Sequence, residues 1–516
     1  MSYEKYAKRI ISEHIKSALF IDENAREAFS PNSSPELFEE KLSVNLFREF
    51  AKHNILLSTY KYNIMDYKQR KSSLFNGRNL ILLDWKLDGN EGEDKALGIL
   101  SDIIESKKIL LCVVYTKERP ENVLKNILSF FSGITSTECD DIKMDLMLDF
   151  EDNHNNFMSK LEDIILNNTN EQQVNKLMSE YATIFEKDFF QNNKNELNNR
   201  LLECWCSYSD YIKANTKQLR VSSYKVSDNV ILIGNTFVVI LNKETTKYKM
   251  LLNKLTQSIA NYSKGFSLLM SIEMNNIMQN KGLMIDQRIS NISKDLFAFY
   301  KMKDIIGFDF FIKEVMLSGV SLNLMDEKLS TIQTLKNVSE SFEPKLDELL
   351  KMNIFYNSIQ RPDNSNLLFG DIFKCSNDSC YYICITPLCD CLNPKNENIF
   401  YFAKGLKVEK EDKIKKELKR SEEVFISYVP DNVIIRWSNS SDKGKPIYIT
   451  PIPLTIPKLI IKNNHINAYR LKAHISQKEK LTLEYVTTLK QNYAQRIANH
   501  AFAHSMRVGI SFFPNT

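Results

Sequence analysis

Short apolar runs separated by amphipathic stretches dominate the first third of the chain. Strands are expected at residues 17–21, 55–62, 79–83, 109–115 and 145–150. Helices are expected at 34–53 and 96–106, and a closing helix at 155–166. Alternation of strands and helices is typical of βαβ units, which form a parallel sheet with helices on both faces. We therefore predict an N-terminal doubly wound α/β domain.

The length of 516 residues is too great for one hydrophobic core, because domains commonly contain about 100 to 200 residues. The pattern divides the chain into an α/β domain (1–168), a helical connector (169–225), a β-hairpin plus helical domain (226–350) and a β-rich domain (351–516). The hairpin is predicted to turn at Gly234-Asn235, and the last domain to end in a helix over 479–507. The overall fold class is multi-domain, α/β followed by α+β.

Composition excludes several classes of protein. The 68 basic and 64 acidic residues give a formal charge of only +4, so no global field favours nucleic acid or an anionic membrane. No run of 18 apolar residues exists, and residues 1–9 lack the apolar stretch of a signal peptide, so we expect a cytoplasmic location without membrane contact. The nine cysteines do not form a compact disulfide framework and are interpreted as reduced thiols.

Oxygen-bearing side chains follow three of the predicted strands. Asp22 and Glu23 follow the first strand, Asp84 the third and Thr116 the fourth. Functional groups of an open parallel sheet collect at the carboxyl ends of the strands, so these four should share a pocket if their strands are neighbours. Clustered carboxylates favour a hard cation such as Mg²⁺, with Asp22, Glu23 and Asp84 as ligands. Asp84 could then act as a nucleophile towards a phosphoryl group, which Thr116 would contact.

These residues, in the segments Phe20-Ile21-Asp22-Glu23, Leu83-Asp84-Trp85 and Tyr115-Thr116, resemble the bacterial response-regulator receiver domain. The resemblance implies a flavodoxin-like fold, two-component signalling and Asp84 as the phosphoacceptor. It also implies a histidine-kinase-like ATPase or another protein as partner. Beyond accepting a phosphoryl group, no enzymatic activity is expected.

The whole chain is similar to long receiver-containing proteins associated with bacterial conflict and antiviral gene clusters. The segments 370–373, 385–390 and 507–509 carry this second resemblance. It implies a bacterial protein that acts in antiviral defence.

Two features depart from the receiver pattern. A lysine is expected at the end of the fifth strand, yet the strand predicted at 145–150 continues into Glu151-Asp152. The first connection is also long, since 62 positions separate Asp22 from Asp84. Either the fifth strand lies elsewhere, or this receiver does not undergo ordinary phosphorylation.

Two residue groups of the last domain invite further hypotheses. The first is a crowded set of thiols: Cys375, Cys380, Cys384, Cys389 and Cys391. Their spacing does not match a zinc ribbon, so buried thiols are the simpler interpretation. The second is a helical face that could contact nucleic acid or an acidic partner, formed by Arg496, His500, His504 and Arg507.

Three functions remain open at this stage. The first is a signalling switch in which Asp84 controls the contacts of residues 170–516. The second is a C-terminal effector that acts on or binds nucleic acid, although the sequence has no P-loop and no Gly-x-Ser-x-Gly motif. The third is a structural adaptor built on a degenerate receiver.

Overall fold

The structure, a computed structural model, consists of two compact units. It describes residues 3–27, 37–88, 92–106, 108–150, 154–166, 171–182, 197–207, 221–225, 228–262, 265–280, 292–303, 305–325, 328–335, 341–343, 345–392, 398–408, 425–437, 449–472 and 475–505. The first unit comprises Met1–Met284 and Val320–Asn337. The second comprises Ile285–Gly319 and Val338–Thr516.

A seven-stranded sheet organises the first unit. Its strands are β1 (Ser17–Asp22), β2 (Leu56–Lys61), β3 (Leu80–Leu83), β4 (Leu110–Thr116), β5 (Val221–Lys225), β6 (Val230–Ile233) and β7 (Thr236–Asn242). The order is β2-β1-β3-β4-β7-β6-β5. Strands β1, β2, β3, β4 and β7 pair in parallel, whereas β6 pairs antiparallel with β7, and β5 pairs antiparallel with β6. The predicted doubly wound sheet is confirmed.

Helices cover both faces of this sheet. They are α1 (Tyr3–His14), α2 (Phe38–Lys52), α3 (Ile64–Leu74), α4 (Gly92–Glu105), α5 (Pro120–Phe130), α6 (Ser136–Phe150), α7 (His154–Leu166), α8 (Glu171–Glu180), α9 (Leu197–Cys206), α10 (Leu251–Asn261) and α11 (Gly265–Asn280). One core lies beneath α3, α4, α5, α7 and α9, and the other beneath α1, α2, α10 and α11. Two-sided coverage explains why β3 and β4 are apolar at consecutive positions, with all their residues buried.

The predicted fifth strand at 145–150 is wrong, because these residues form the end of α6. A capping box starts this helix: the Thr135 hydroxyl accepts a hydrogen bond from the Glu138 N–H, and the Glu138 carboxylate accepts one from the Thr135 N–H. The fifth parallel strand is β7, which also forms the predicted hairpin with β6. Gly234 adopts a φ of 55° at the turn, a conformation that glycine reaches without steric cost.

A β-barrel forms the body of the second unit. Its strands are β8 (Ser358–Ile359), β9 (Asp371–Cys375), β10 (Tyr381–Cys384), β11 (Ile399–Lys407), β12 (Ile426–Val429), β13 (Val433–Arg436), β14 (Pro451–Thr455), β15 (His465–Lys472) and β16 (Ile475–Leu489). The path β10-β9-β16-β15-β14-β11 closes because β11 also pairs with β10. Strands β13 and β12 continue from β11. The predicted β-rich character of this region is confirmed.

The helices that follow α11 are α12 (Lys294–Lys303), α13 (Ile305–Met325), α14 (Leu346–Asn357), α15 (Leu388–Leu392) and α16 (Gln491–Ser505). Helix α13 crosses the division between the two units. The terminal helix is confirmed, but its predicted start at residue 479 is wrong, since residues 479–489 belong to β16. Within the described residues, no helix has the length and apolar character needed to cross a membrane.

Candidate functional site at the carboxyl edge of the sheet

The strand order brings the predicted site residues to one edge of the first sheet. Strands β1, β3 and β4 are neighbours, and β7 lies beside β4. The register aligns Ile21 with Leu83, and Thr116 with Asn242. Because these strands are parallel, the residues that follow their carboxyl ends meet at the same rim.

Asp22 is completely buried at the end of β1. One carboxylate oxygen accepts a hydrogen bond of 2.8 Å from the N–H of Asn24. The other lies 3.3 Å from the Lys243 ammonium. A buried carboxylate is costly without such partners, so Asp22 depends on Lys243 for its charge compensation.

Asp84 immediately follows β3, and 13% of its side chain is exposed. Its Oδ1 accepts a hydrogen bond from the Trp85 N–H and lies 2.9 Å from the Lys243 ammonium. Burial raises the pKa of Asp84 to about 7; the Asp22 carboxylate acts in the same direction, and Lys243 opposes it. Asp22 and Asp84 therefore share one cation and one pocket.

Lys243 joins the two carboxylates of the site and was not predicted from the sequence. It directly follows β7, and only 2% of its side chain is exposed. Its sequence signal is the run Thr236–Asn242, in which six of the seven residues are buried. Burial on both faces is typical of a central parallel strand, although the same run also reads as one arm of a hairpin. Of the two explanations for the missing lysine, the structure supports the one in which the fifth strand lies elsewhere.

Thr116 ends β4 and is 2% exposed. Its hydroxyl accepts a hydrogen bond from the Glu118 N–H, and its carbonyl accepts one of 2.6 Å from the Lys243 N–H. The Asn242 amide donates to the carbonyls of Lys117 and Glu118. The loops after β4 and β7 are thus joined beside the two carboxylates.

Glu23 lies at the same edge but faces a different group. Its Oε2 accepts a hydrogen bond from the N–H of Asp88, in the loop after Asp84, and its Oε1 accepts one from the Asn24 amide. Among the described residues, no group of three or more His, Cys, Asp or Glu side chains is arranged to hold a metal ion. Asp22 and Asp84 form the two-carboxylate centre, and Glu23 holds the adjoining loop.

Two further lysines border the rim. Lys117 forms an ion pair of 2.9 Å with Glu39, and Lys86 one of 2.7 Å with Glu118. The pKa of Lys117 is raised, chiefly by its hydrogen bond with Glu39 and to a smaller extent by Asp84 and Asp22. These cations stand near a pocket whose carboxylates would otherwise repel an incoming anion.

The predicted face of the terminal helix is only partly described. On α16, the Arg496 guanidinium lies 5.1 Å from the centre of the Phe425 ring, and the His500 ring lies 4.3 Å from it. His504 falls within α16, and Arg507 lies outside the described residues. Arg496 and His500 therefore pack on an aromatic residue, which leaves contact with nucleic acid as a prediction.

The cysteines of the barrel do not converge on one point. Cys384 and Cys391 place their sulfur atoms 4.0 Å apart, whereas Cys375 and Cys380 contact the 377–378 turn. Cys389 is exposed and lies beside Asp390. Burial raises the pKa of Cys375 and Cys380, which favours their neutral thiols.

Comparison with known proteins bears on the first unit alone. The family model of the response receiver domain matches residues 14–164, which include β1 to β4 but not β7. No curated protein and no solved structure gives a significant match. The match and the rim geometry agree on the same strands. The chain carries a response receiver domain at residues 14–164, which supports a signal-receiving role like that of response regulators.

Proposed function

We propose that the protein is a regulatory switch in which Asp84 accepts a phosphoryl group and thereby controls the C-terminal interaction domains. The observation that carries this proposal is the contact of the Lys243 ammonium with both Asp22 and Asp84. A carboxylate, a second carboxylate and a lysine around one point supply a nucleophile and the charges that a phosphoryl group requires.

The transfer forms one bond and breaks one. A carboxylate oxygen of Asp84 attacks the phosphorus of a phosphohistidine or of acetyl phosphate, and the bond to the imidazole nitrogen or to acetate breaks. The product is an acyl phosphate on Asp84. Because only the ionised carboxyl is nucleophilic, a pKa of about 7 makes the available fraction of Asp84 sensitive to pH in the neutral range.

Two carboxylates at the rim support a role for Mg²⁺ in the proposed transfer. Asp22 and Asp84 both reach one cation, the Lys243 ammonium, and Mg²⁺ is commonly bound by one or two carboxylates while it retains water. Asp22 and Asp84 would hold the ion, and Glu23 would support the 84–88 loop beside it. When bound, Mg²⁺ would neutralise the charge that develops between the carboxylates and the phosphoryl oxygens.

Lys243 and Thr116 would transmit the change. After transfer, the Lys243 ammonium is free to pair with a phosphoryl oxygen, and the Thr116 hydroxyl can donate to another. The Lys243 N–H is bonded to the Thr116 carbonyl, and the Tyr115 hydroxyl donates to the Thr246 carbonyl. Movement at the rim would therefore reach the segment that leads into α10.

A histidine-kinase-like ATPase in the bacterial cytoplasm is the partner that this chemistry suggests, since it supplies a phosphohistidine. The resemblance of segments 370–373 and 385–390 to long receiver-containing proteins supports a role in antiviral defence. The alternative of a structural adaptor built on a degenerate receiver rested on the lack of a lysine at the end of the predicted fifth strand. Because Lys243 follows β7, that reason for the alternative no longer applies.

Phosphorylation can be tested directly on the full chain. We expect acetyl phosphate with Mg²⁺ to produce a slower-migrating species on a phosphate-affinity gel, and Asp84→Ala to abolish it. Lys243→Ala should reduce the yield at least about 10-fold, because a charge-assisted contact to the transferred group is lost.

The matched control is Lys108→Ala. Lys108 is also a lysine of the first unit, but its ammonium hydrogen-bonds to Asn76, away from the rim. This variant should be phosphorylated like the wild type. Identical migration of wild type and Asp84→Ala would show that Asp84 does not accept a phosphoryl group.

A further inference from the structure

Apolar side chains lie in solvent along α12 and the first part of α13. No residue of α12 is buried, and Met302 is 83% exposed. On α13, Ile305 is 64% exposed and Leu317 is 69% exposed. We call residues 294–317 the apolar helix pair.

The exposed apolar side chains of these two helices indicate a surface that another molecule binds. A ten-residue helix is marginal in water by itself, and most helices in proteins are stabilised by packing one face. Phe297 of α12 and Phe308 of α13 do pack on each other, with ring centres 6.2 Å apart. Despite this contact, Phe299, Tyr300 and Phe311 are about half exposed.

We propose that a second copy of this chain covers the apolar helix pair and forms a two-fold dimer. The large apolar side chains on residues 294–317 expose on the order of 900 Å² together, since an aromatic side chain carries roughly 150 to 250 Å² when fully exposed. A standard protein interface buries roughly 800 Å² on each partner. The summed exposed apolar area is thus comparable with the area that one partner buries in a specific dimer.

The charges of the two helices favour a second copy over an unrelated partner. Helix α12 carries three lysines and one aspartate, whereas α13 carries Asp309, Lys313 and Glu314. Lys301 and Lys303 end α12, whereas Asp309 and Glu314 are exposed on α13, where Asp309 is paired with Lys313 of the same helix. Helix α12 therefore keeps an excess of positive charge and α13 an excess of negative charge. A two-fold axis that places α12 of one copy on α13 of the other brings opposite charges together twice.

The full-length protein should sediment with twice the mass of one chain at micromolar concentration. Phe311→Glu combined with Leu317→Glu should make it monomeric, because two charges would be buried without partners. Met65→Glu is the matched control, since Met65 is 71% exposed on α3 of the other unit. That variant should remain dimeric. All variants should still unfold cooperatively, and only the monomeric variant should lose the stabilisation that dimerisation gives.

A charge exchange tests the pairing itself. Lys301→Glu with Lys303→Glu gives one variant, and Asp309→Lys with Glu314→Lys gives the other. Each alone places like charges across both halves of the interface, so its dimer should dissociate at least about 10-fold more readily. An equimolar mixture places opposite charges together in both halves and should restore wild-type dimerisation.

Three results would overturn the proposal. The first is a wild-type chain that remains monomeric at micromolar concentration. If that monomer co-sediments with phosphatidylglycerol vesicles, a membrane surface and not a second copy covers the apolar helix pair. The second is a dimer that survives the Phe311 and Leu317 substitutions. The third is a mixture of the charge variants that dimerises no better than either variant alone.

Discussion

Asp84 combines two properties that oppose each other in a folded protein. In the proposed transfer it would have to be ionised to attack phosphorus, yet its burial beside Asp22 favours the protonated form and raises its pKa to about 7. Lys243 offsets part of this cost, since its ammonium lies 2.9 Å from Asp84 Oδ1. The ionised Asp84 carboxyl therefore destabilises the folded protein, and the proposed chemistry depends on that same ionised form.

Asp84→Asn should stabilise the first unit at neutral pH. The pKa of Asp84 is raised on folding, so its protonation favours the folded state at low pH, and this contribution is lost as pH rises from about 4 to about 7. The amide keeps the shape and lacks the charge. We expect the melting temperature of the variant to exceed that of the wild type by a few degrees at pH 8, and the gap to close near pH 4.

Asp378→Asn is a control for which we expect the opposite change in melting temperature. Hydrogen bonds from Lys404, Tyr382 and the Cys380 N–H outweigh burial and lower the pKa of Asp378 to about 2. Its charged form therefore stabilises the folded state above about pH 4, and the variant should melt below the wild type at pH 8. A lower melting temperature for Asp84→Asn than for the wild type at pH 8 would contradict the view that the ionised Asp84 carboxyl destabilises the folded state.

Single residues were predictable where the chemistry follows a strand directly. Asp22, Asp84 and Thr116 lie at strand ends in the sequence, and the structure places all three at one rim. Lys243 was missed because it lies far along the chain from Thr116. The local sequence pattern does not indicate that β7 pairs with β4. Glu23 was expected as a ligand, but its contact with the Asp88 N–H depends on a loop conformation that sequence does not specify.

At the level of elements, the strands of the first sheet were predicted well except for β5, whose residues fell within the predicted helical connector. Two helix boundaries were also predicted wrongly. Residues 145–150 contain a short apolar run, 146–148, which also occurs in buried strands, but the capping box at Thr135 starts a helix that extends through them. Residues 479–489 contain charges at helical spacing. Their period-2 pattern, with Leu481 and Leu483 in the barrel core, was the stronger signal.

Two glycines in different elements should respond to alanine with opposite signs. A Cβ on Gly405 of β11 would lie 2.5 Å from an Ile435 methyl group and 2.6 Å from the Trp437 ring. Gly405→Ala should lower the free energy of unfolding by roughly 1 to 3 kcal/mol, because the ring must shift.

Gly98 of α4 is the matched position, since a Cβ there meets nothing within 4 Å. Gly98→Ala should raise the free energy of unfolding by roughly 0.5 to 1 kcal/mol, as alanine favours a helix interior. Chemical denaturation of both variants gives the two values. Destabilisation by both substitutions would show that backbone flexibility, and not the space beside the ring, decides the response.

At the scale of the whole molecule, the receiver sheet extends beyond the residues that match the family model. The match ends at residue 164, whereas β7, β6 and β5 come from residues 221–242. The predicted domain boundary at residue 168 remains a prediction. The helices between the two parts share one core with the sheet, although their helical pattern in the sequence suggested a separate connector.

A fragment of residues 1–168 should not fold into a stable receiver. It lacks β7, so β4, with all seven residues buried in the full sheet, would present an unpaired apolar edge. We expect this fragment to aggregate, and a fragment of residues 1–337 to be soluble and to unfold cooperatively on heating. Cooperative unfolding of a soluble 1–168 fragment would establish the boundary at 168 instead.

The late position of Lys243 has a consequence during protein synthesis. The ribosome completes β1, β3 and β4, with both acidic side chains, before the lysine that neutralises them exists. The intervening stretch of about 130 residues takes roughly 7 to 25 s to translate. During that interval the nascent chain has the carboxyl of the proposed acceptor but not its counter-charge, so the proposed phosphoryl transfer would have to await the completion of β7.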